Sequence, residues 1–133
     1  MSTPSAYIAS VLESNSFGVI GTDIFATTDL PYKPDAMVII LDPPGFSRDV
    51  PNLRYTMCRI QINVRGTEGG AQDAFDRAEK INYFLQYWHG HVWNTRFVYI
   101  NNVSGSPAYI GLDEGMRPIF SLNFEAMKTY NTY

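Results

Sequence analysis

Cysteine and net charge are both scarce in this chain. Its 133 residues include one cysteine, Cys58, so no intramolecular disulfide can form and a reducing compartment is expected. The formal net charge of −3 at pH 7 provides no broad electrostatic attraction for nucleic acid. No apolar run approaches the roughly 20 residues of a membrane helix, and the first residues lack a signal-peptide pattern. These absences predict a soluble protein made and used in the cytoplasm, without a membrane partner.

Catalytic signatures are missing as well. His89 and His91 lie two positions apart, but zinc needs further ligands, and Asp113 and Glu114 are distant along the chain. Cys58 falls on the apolar face of a predicted strand, which is typical of inert packing rather than of a nucleophile. We therefore expect no enzyme, no cofactor and no metal. The alternative of a different class is a small metal-dependent hydrolase that uses His89, His91 and Asp113.

Apolar and aromatic residues are plentiful by contrast. Apolar residues make up 45% of the chain and charged residues 17%, a composition typical of a folded globule. The length favours a single domain, residues 1–133, that buries roughly two-thirds of its unfolded surface. Nine of the aromatic residues are tyrosines, which are favoured at protein interfaces because one end is apolar and the other forms hydrogen bonds.

A strand over 55–66 and a helix over 71–88 form the predicted core unit. Apolar residues alternate with polar ones along the strand, so one face is expected to be buried. That face consists of Cys58, Ile60, Ile62 and Val64. The helix has one apolar stripe that can cover it. The stripe consists of Ala71, Ala74, Phe75, Ala78, Ile81, Leu85 and Trp88.

Further elements are predicted on both sides of this unit. Thr3 and Pro4 are typical of a helix start, and strands are expected over 37–41, 96–103 and 119–127. A hairpin turn is expected at 113–115, and a loop over 42–54, rich in proline and glycine, is expected to contact a partner. The predicted fold is α+β, an antiparallel sheet of about four main strands with helices packed on one face.

Three ordered stretches of the sequence resemble one known family. They read CRIQINVRG, then AFDRAEKINYFL, then YINNVSGSPAYIGLDEGMRPIFSLNFEAM. Together they resemble the tail-terminator (minor capsid, tail completion) family of long-tailed bacteriophages, from about residue 35 to residue 127. The resemblance implies a small subunit that assembles into a hexameric ring, caps the tail tube, ends its polymerisation and presents a surface to the head connector.

The resemblance also implies partners and a location. The partners are further copies of the chain, the tail tube protein and the head–tail connector, with DNA only passing through the channel. The location is the head–tail junction of the virion, after assembly in the host cytoplasm. The family brings no catalytic residue and no cofactor. Another neck or tail-completion protein, such as an adaptor on the connector side, is the alternative within this class.

Surface residues are the candidate sites for such an assembly. Tyr83 and Tyr87 lie on the back of the predicted helix, opposite its apolar stripe. The outward face of the two long strands is expected to line the ring channel or to contact another subunit, with a solvated sheet as the alternative. The face consists of Arg59, Gln61, Asn63, Arg65, Asn123 and Glu125. The loop and turn candidates are Arg48, Asp49, Asp113, Glu114 and Arg117.

Overall fold

The described residues form two helices and eight strands. The computed structural model describes residues 3–26, 34–42, 48–50, 55–86, 88–92, 95–103 and 105–130. In chain order the elements are α1 (Pro4–Ser14), β1 (Ile24–Phe25), β2 (Met37–Leu41), β3 (Arg48–Val50), β4 (Tyr55–Arg65), α2 (Ala71–Leu85), β5 (Gly90–Val92), β6 (Thr95–Asn102), β7 (Ala108–Leu112) and β8 (Pro118–Tyr130). Neither of these helices is long and apolar enough to cross a membrane.

The two longest strands, β4 and β8, form the centre of one sheet. They pair antiparallel from Tyr55 opposite Thr129 to Arg65 opposite Ile119. Along the other edge of β4 lie β2 and then β3, and along the other edge of β8 lie β6 and then β7. The outermost strands are β5, beside β6, and β1, which runs parallel to β2.

The prediction of about four antiparallel strands is wrong. The sheet has eight strands and is mixed, because β1 and β2 are parallel. Strand residues outnumber helical residues about two to one, so the chain is mostly β. Three of the strands, β1, β3 and β5, have only two or three residues, too few to show a period in the sequence. They exist because longer neighbours supply a pairing edge.

The predicted apolar face of the central strand is confirmed. Cys58, Ile60, Ile62 and Val64 are each at most 1% exposed and belong to one core cluster. The inward residues of β8 stand opposite them. These are Phe120, Leu122, Phe124 and Ala126. Both helices contribute to the same cluster, so they cover the same face of the sheet. Each fully buried Ile or Leu side chain there contributes about 1.5–3 kcal/mol.

The first helix begins as its sequence predicts. The Thr3 hydroxyl accepts a hydrogen bond from the amide of Ala6 at 3.3 Å, and Pro4 occupies the first turn. Ser5 then fixes the helix start to the end of β2. Its amide and hydroxyl donate to the two carboxylate oxygens of Asp42 at 2.9 and 2.7 Å. The capping side chains therefore also set the position of α1 against the sheet.

The second helix ends earlier than its stripe predicts. It stops at Leu85 rather than near residue 88, although Trp88 still packs half-buried against the core. Arg77 donates to the Phe17 carbonyl at 2.9 Å and to the Asp23 carboxylate at 3.2 Å. That side chain ties α2 to the segment that follows α1.

Candidate functional site: the interface surfaces

Four of the predicted outward residues form a polar patch at the middle of the sheet. Arg59 lies directly opposite Glu125, and Gln61 directly opposite Asn123. Arg59 and Asn123 are exposed, and the other two are half-buried. Side chains opposite each other in this way are neighbours on one face, and the opposite charges of the first pair suit that placement. We call these four residues the polar sheet patch.

Asn63 and Arg65 do not belong to this exposed patch. Both are buried within the subunit, because Asn63 is 8% exposed and Arg65 only 2%. Arg65 Nε donates to the Asp35 carbonyl at 3.0 Å, and Nη2 donates to the Pro34 carbonyl at 2.9 Å. Alternation correctly places both side chains on the outer face, but it carries no information about the segment that covers that face.

The β7–β8 turn is closed by Asp113 and Arg117. One carboxylate oxygen of Asp113, Oδ1, accepts the amides of Gly115 and Arg117 at 3.0 Å each. The other, Oδ2, accepts Arg117 Nε at 2.9 Å and lies 3.5 Å from Arg65 Nη1. Arg117 Nη1 also donates to the Asp35 carboxylate at 3.1 Å. We call Asp35, Arg65, Asp113 and Arg117 the hairpin-base cluster.

Within the hairpin-base cluster, the pKa values of Asp113 and Arg117 are both shifted from their ordinary values. Burial by itself would raise the pKa of Asp113, but the hydrogen bonds and charge of Arg117 lower the pKa below its ordinary value. The hydrogen bond to Asp113 raises the pKa of Arg117 further despite burial. Arg117 is 4% exposed, so this ion pair holds two strands and the segment before β2 together inside the subunit. Glu114, at the tip of the turn, is exposed.

An apolar strand edge lies beside this cluster. In β7, Tyr109, Ile110 and Leu112 are 56%, 57% and 50% exposed, and Met116 in the following turn is 54% exposed. Within the described residues, β7 pairs with β8 alone. We call these four residues the apolar edge. The sequence analysis missed it, because five residues with a glycine at the fourth position show no clear alternation, although three large apolar residues before an Asp-Glu-Gly turn were a usable signal.

The outer surface of α2 presents the remaining aromatic candidate. Tyr83 is 88% exposed, on the side of α2 away from its buried stripe, as the helical spacing predicts. A shallow groove runs beside it between α2 and the segment after α1. Its lining consists of Phe17, Glu79, Lys80, Tyr83 and Phe84. Tyr87, the second predicted aromatic, lies outside the described residues.

Part of the predicted partner loop belongs to a strand. Arg48 and Asp49 belong to β3 and pair with Met57 and Thr56 at the start of β4. Their side chains are outside the described part of the structure, as are residues 43–47 and 51–54. Deletion of residues 48–50 would therefore remove backbone pairing with β4.

A family model described as "Bacteriophage tail terminator protein" matches residues 11–130, almost the whole chain. The chain belongs to this family. It is a bacteriophage tail protein and a component of the virion tail. No curated protein sequence matches the chain.

The matched span of this tail terminator protein includes every surface described above. Arg65, Gly66, Asp113 and Arg117, on which the sequence resemblance partly depends, meet at the hairpin base. Gly66 fits there because a Cβ atom would lie 2.8 Å from the Gly70 carbonyl oxygen and 2.9 Å from the Ala74 Cβ. These residues therefore share a structural task, which is to join the end of β4, the start of α2 and the β7–β8 turn.

The histidines of the tail terminator protein do not join a metal site in the described structure. His89 and His91 are exposed, and His91 pairs with Arg96 across β5 and β6. The described residues contain no group of three His, Cys, Asp or Glu side chains placed to hold a metal ion. Asp113, the third residue of the hydrolase alternative, is instead engaged by Arg117 and Arg65. The geometry lends that alternative no support.

Proposed function

We propose that this protein forms a hexameric ring that caps the tail tube, ends its polymerisation and presents the joining surface for the head connector. The observation that supports this proposal most is the family match over residues 11–130. The ring acts by contact alone, so the proposal assigns no catalytic residue and no cofactor. Assembly takes place in the host cytoplasm, and DNA meets the ring only as it passes through the channel.

The exposed surfaces fit a protein that works by contact. Tyr83 and the apolar edge would leave large apolar groups in water if the subunit acted alone, and such patches usually mark contacts. We assign Tyr83 and the adjoining groove to the tube protein or the connector, since tyrosine is a frequent anchor of interfaces. The polar sheet patch balances its positive and negative charges, and we assign it to the channel lining or to a subunit contact.

Tail length is the quantity that tests this function. Particles from a phage that lacks this gene should contain tubes of broad and excessive length, without a cap and without attached heads. Electron microscopy of the lysate measures the lengths, and expression of the intact gene in the same host is the control. Tubes of normal length with a capped end, formed without this protein, would contradict the proposal that it ends tube polymerisation. Tubes of normal length that only fail to join heads would instead indicate the adaptor on the connector side.

A further inference from the structure

We infer that the apolar edge of one copy packs against the exposed Val19–Ile20 segment of the next copy, so that the ring is built from head-to-tail contacts. This inference depends on the proposed ring and names the two surfaces that join its subunits. It rests on two exposed apolar surfaces, on their positions in the sheet and on the symmetry that a ring requires.

The first surface is an edge strand whose outer side pairs with no other strand among the described residues. Alternate backbone N–H and C=O groups of β7 point away from β8, as they do in any edge strand. Charged residues usually protect such an edge, but here Tyr109, Ile110 and Leu112 expose half or more of their surface. A register shift between Tyr109 and Gly111 makes Ile110 the extra residue of a bulge. An apolar bulged edge is suited to one specific contact and not to open-ended strand pairing.

The second surface is a rigid turn at the opposite side of the sheet. Val19 and Ile20 are 54% and 45% exposed. The Val19 amide donates to Asp23 Oδ1 at 2.7 Å, and the Ile20 amide donates to Glu13 Oε2 at 2.8 Å. The Val19 carbonyl accepts the amides of Asp23 and Ile24 at 3.0 and 3.1 Å. Because these backbone groups are already bonded, the turn offers its apolar side chains rather than another strand.

One row of paired residues across the sheet connects the two surfaces. In strand order the row runs through Ile24, Val38, Val64, Phe120 and Tyr109. Its five members span four strand spacings of about 4.8 Å, so its ends lie about 19 Å apart. The Val19–Ile20 turn borders Ile24 through the bridge between Ile20 and Ile24, and Tyr109 belongs to the apolar edge. The two surfaces therefore lie at one level on opposite sides of the subunit.

This placement favours a second copy as the occupant. A two-fold dimer joins a surface to itself and would leave the other apolar surface in water. A ring requires two different surfaces that complement each other on opposite sides of one subunit. The exposed side chains that define the two surfaces are uncharged. Their contact therefore removes none of these surfaces' own charged groups from water.

Cross-linking of paired cysteines tests the inference on capped tails. The variant with both Ile20→Cys and Ile110→Cys, treated with a short bismaleimide, should give a ladder of linked chains that ends at six. Each single variant should give only unlinked chains, because position 110 of one copy lies near position 20 of the next copy and neither position lies near its own counterpart. Ile20→Cys combined with Asp76→Cys, at an exposed position of α2, is the matched control and should give no ladder. The native Cys58 is 1% exposed and burial raises its pKa to about 11, so it should not react.

Charge substitution gives a second measurement that depends on no cross-linker. Ile110→Asp and Ile20→Lys should each reduce the fraction of capped tails tenfold or more, and their combination should recover most of it. Both sites are exposed, so thermal unfolding of the free subunit should be unchanged and serves as the folding control.

The outcomes separate the inference from the proposed function. Dimers from Ile110→Cys alone would show that the edge meets itself, and a link from Ile110→Cys to the tube protein would show a different occupant. Either result overturns the inference. Six-membered rings by mass with no ladder would also overturn it, while the proposed function would stand. Normal tails in the absence of the protein would overturn the proposed function itself.

Discussion

Arg117 holds the carboxylate of Asp113, four residues earlier in the chain, with two guanidinium nitrogens that each lie 2.9 Å from the same oxygen. Its third nitrogen, Nη1, reaches the carboxylate of Asp35 at 3.1 Å. A single side chain thus closes the β7–β8 turn and joins it to the segment that precedes β2. The exposed edge of β7 is therefore presented from a fixed base, which lowers the entropy lost when a partner binds.

Arg117→Met should lower the free energy of unfolding by about 1.5–3 kcal/mol, because the half-buried Asp113 carboxylate loses its charged hydrogen bonds and keeps only Arg65, at 3.5 Å, as a charged neighbour. Urea unfolding measures the loss. Arg59→Met, at an exposed position of β4, is the matched control and should cost no more than about 1 kcal/mol. Equal losses for the two arginines would refute a structural role for the hairpin base.

Acid should weaken the folded state through Asp113. Its pKa in the folded protein lies below the ordinary value of 3.8, so the unfolded chain binds the proton more readily. The stabilisation is complete above pH 3.8 and is lost as the pH falls through the folded pKa. Unfolding free energies over this range should decline more steeply for the wild type than for Asp113→Asn. Parallel curves would show that other carboxylates cause the acid sensitivity.

Tyr83→Ala should leave folding nearly unchanged and weaken docking. The side chain is 88% exposed, so the expected change in unfolding free energy is within about 0.5 kcal/mol. As an interface anchor it should contribute more than about 1.4 kcal/mol, a tenfold change in affinity for the tube end or the connector. Asp76→Ala, an exposed position two helical turns away on the same side of α2, is the control. Tail length and the fraction of tails joined to heads are the measurements, and wild-type values for Tyr83→Ala would exclude it as an anchor.

The candidate site could be predicted in part. Helical spacing correctly places Tyr83 in solvent, and alternation correctly assigns Arg59 and Asn123 to the outer face of the sheet. It also places Arg65 on that face, but it does not reveal that the carbonyls of Pro34 and Asp35, from about thirty residues earlier in the chain, cover this side chain. The apolar edge was missed for a related reason. β7 is defined by its pairing with β8 and not by a pattern of its own.

The sequence by itself determined the elements whose signals are local and repeated. The alternation of β4 and β8, the stripe of α2 and the Thr3 cap each depend on neighbouring residues, and the motif order alone suggested the family. Only the tertiary structure decided the short strands, the buried hairpin-base cluster and the placement of two apolar surfaces at opposite sides of the sheet. These features depend on pairing and covering between segments distant in the chain, and such contacts leave no period in the sequence.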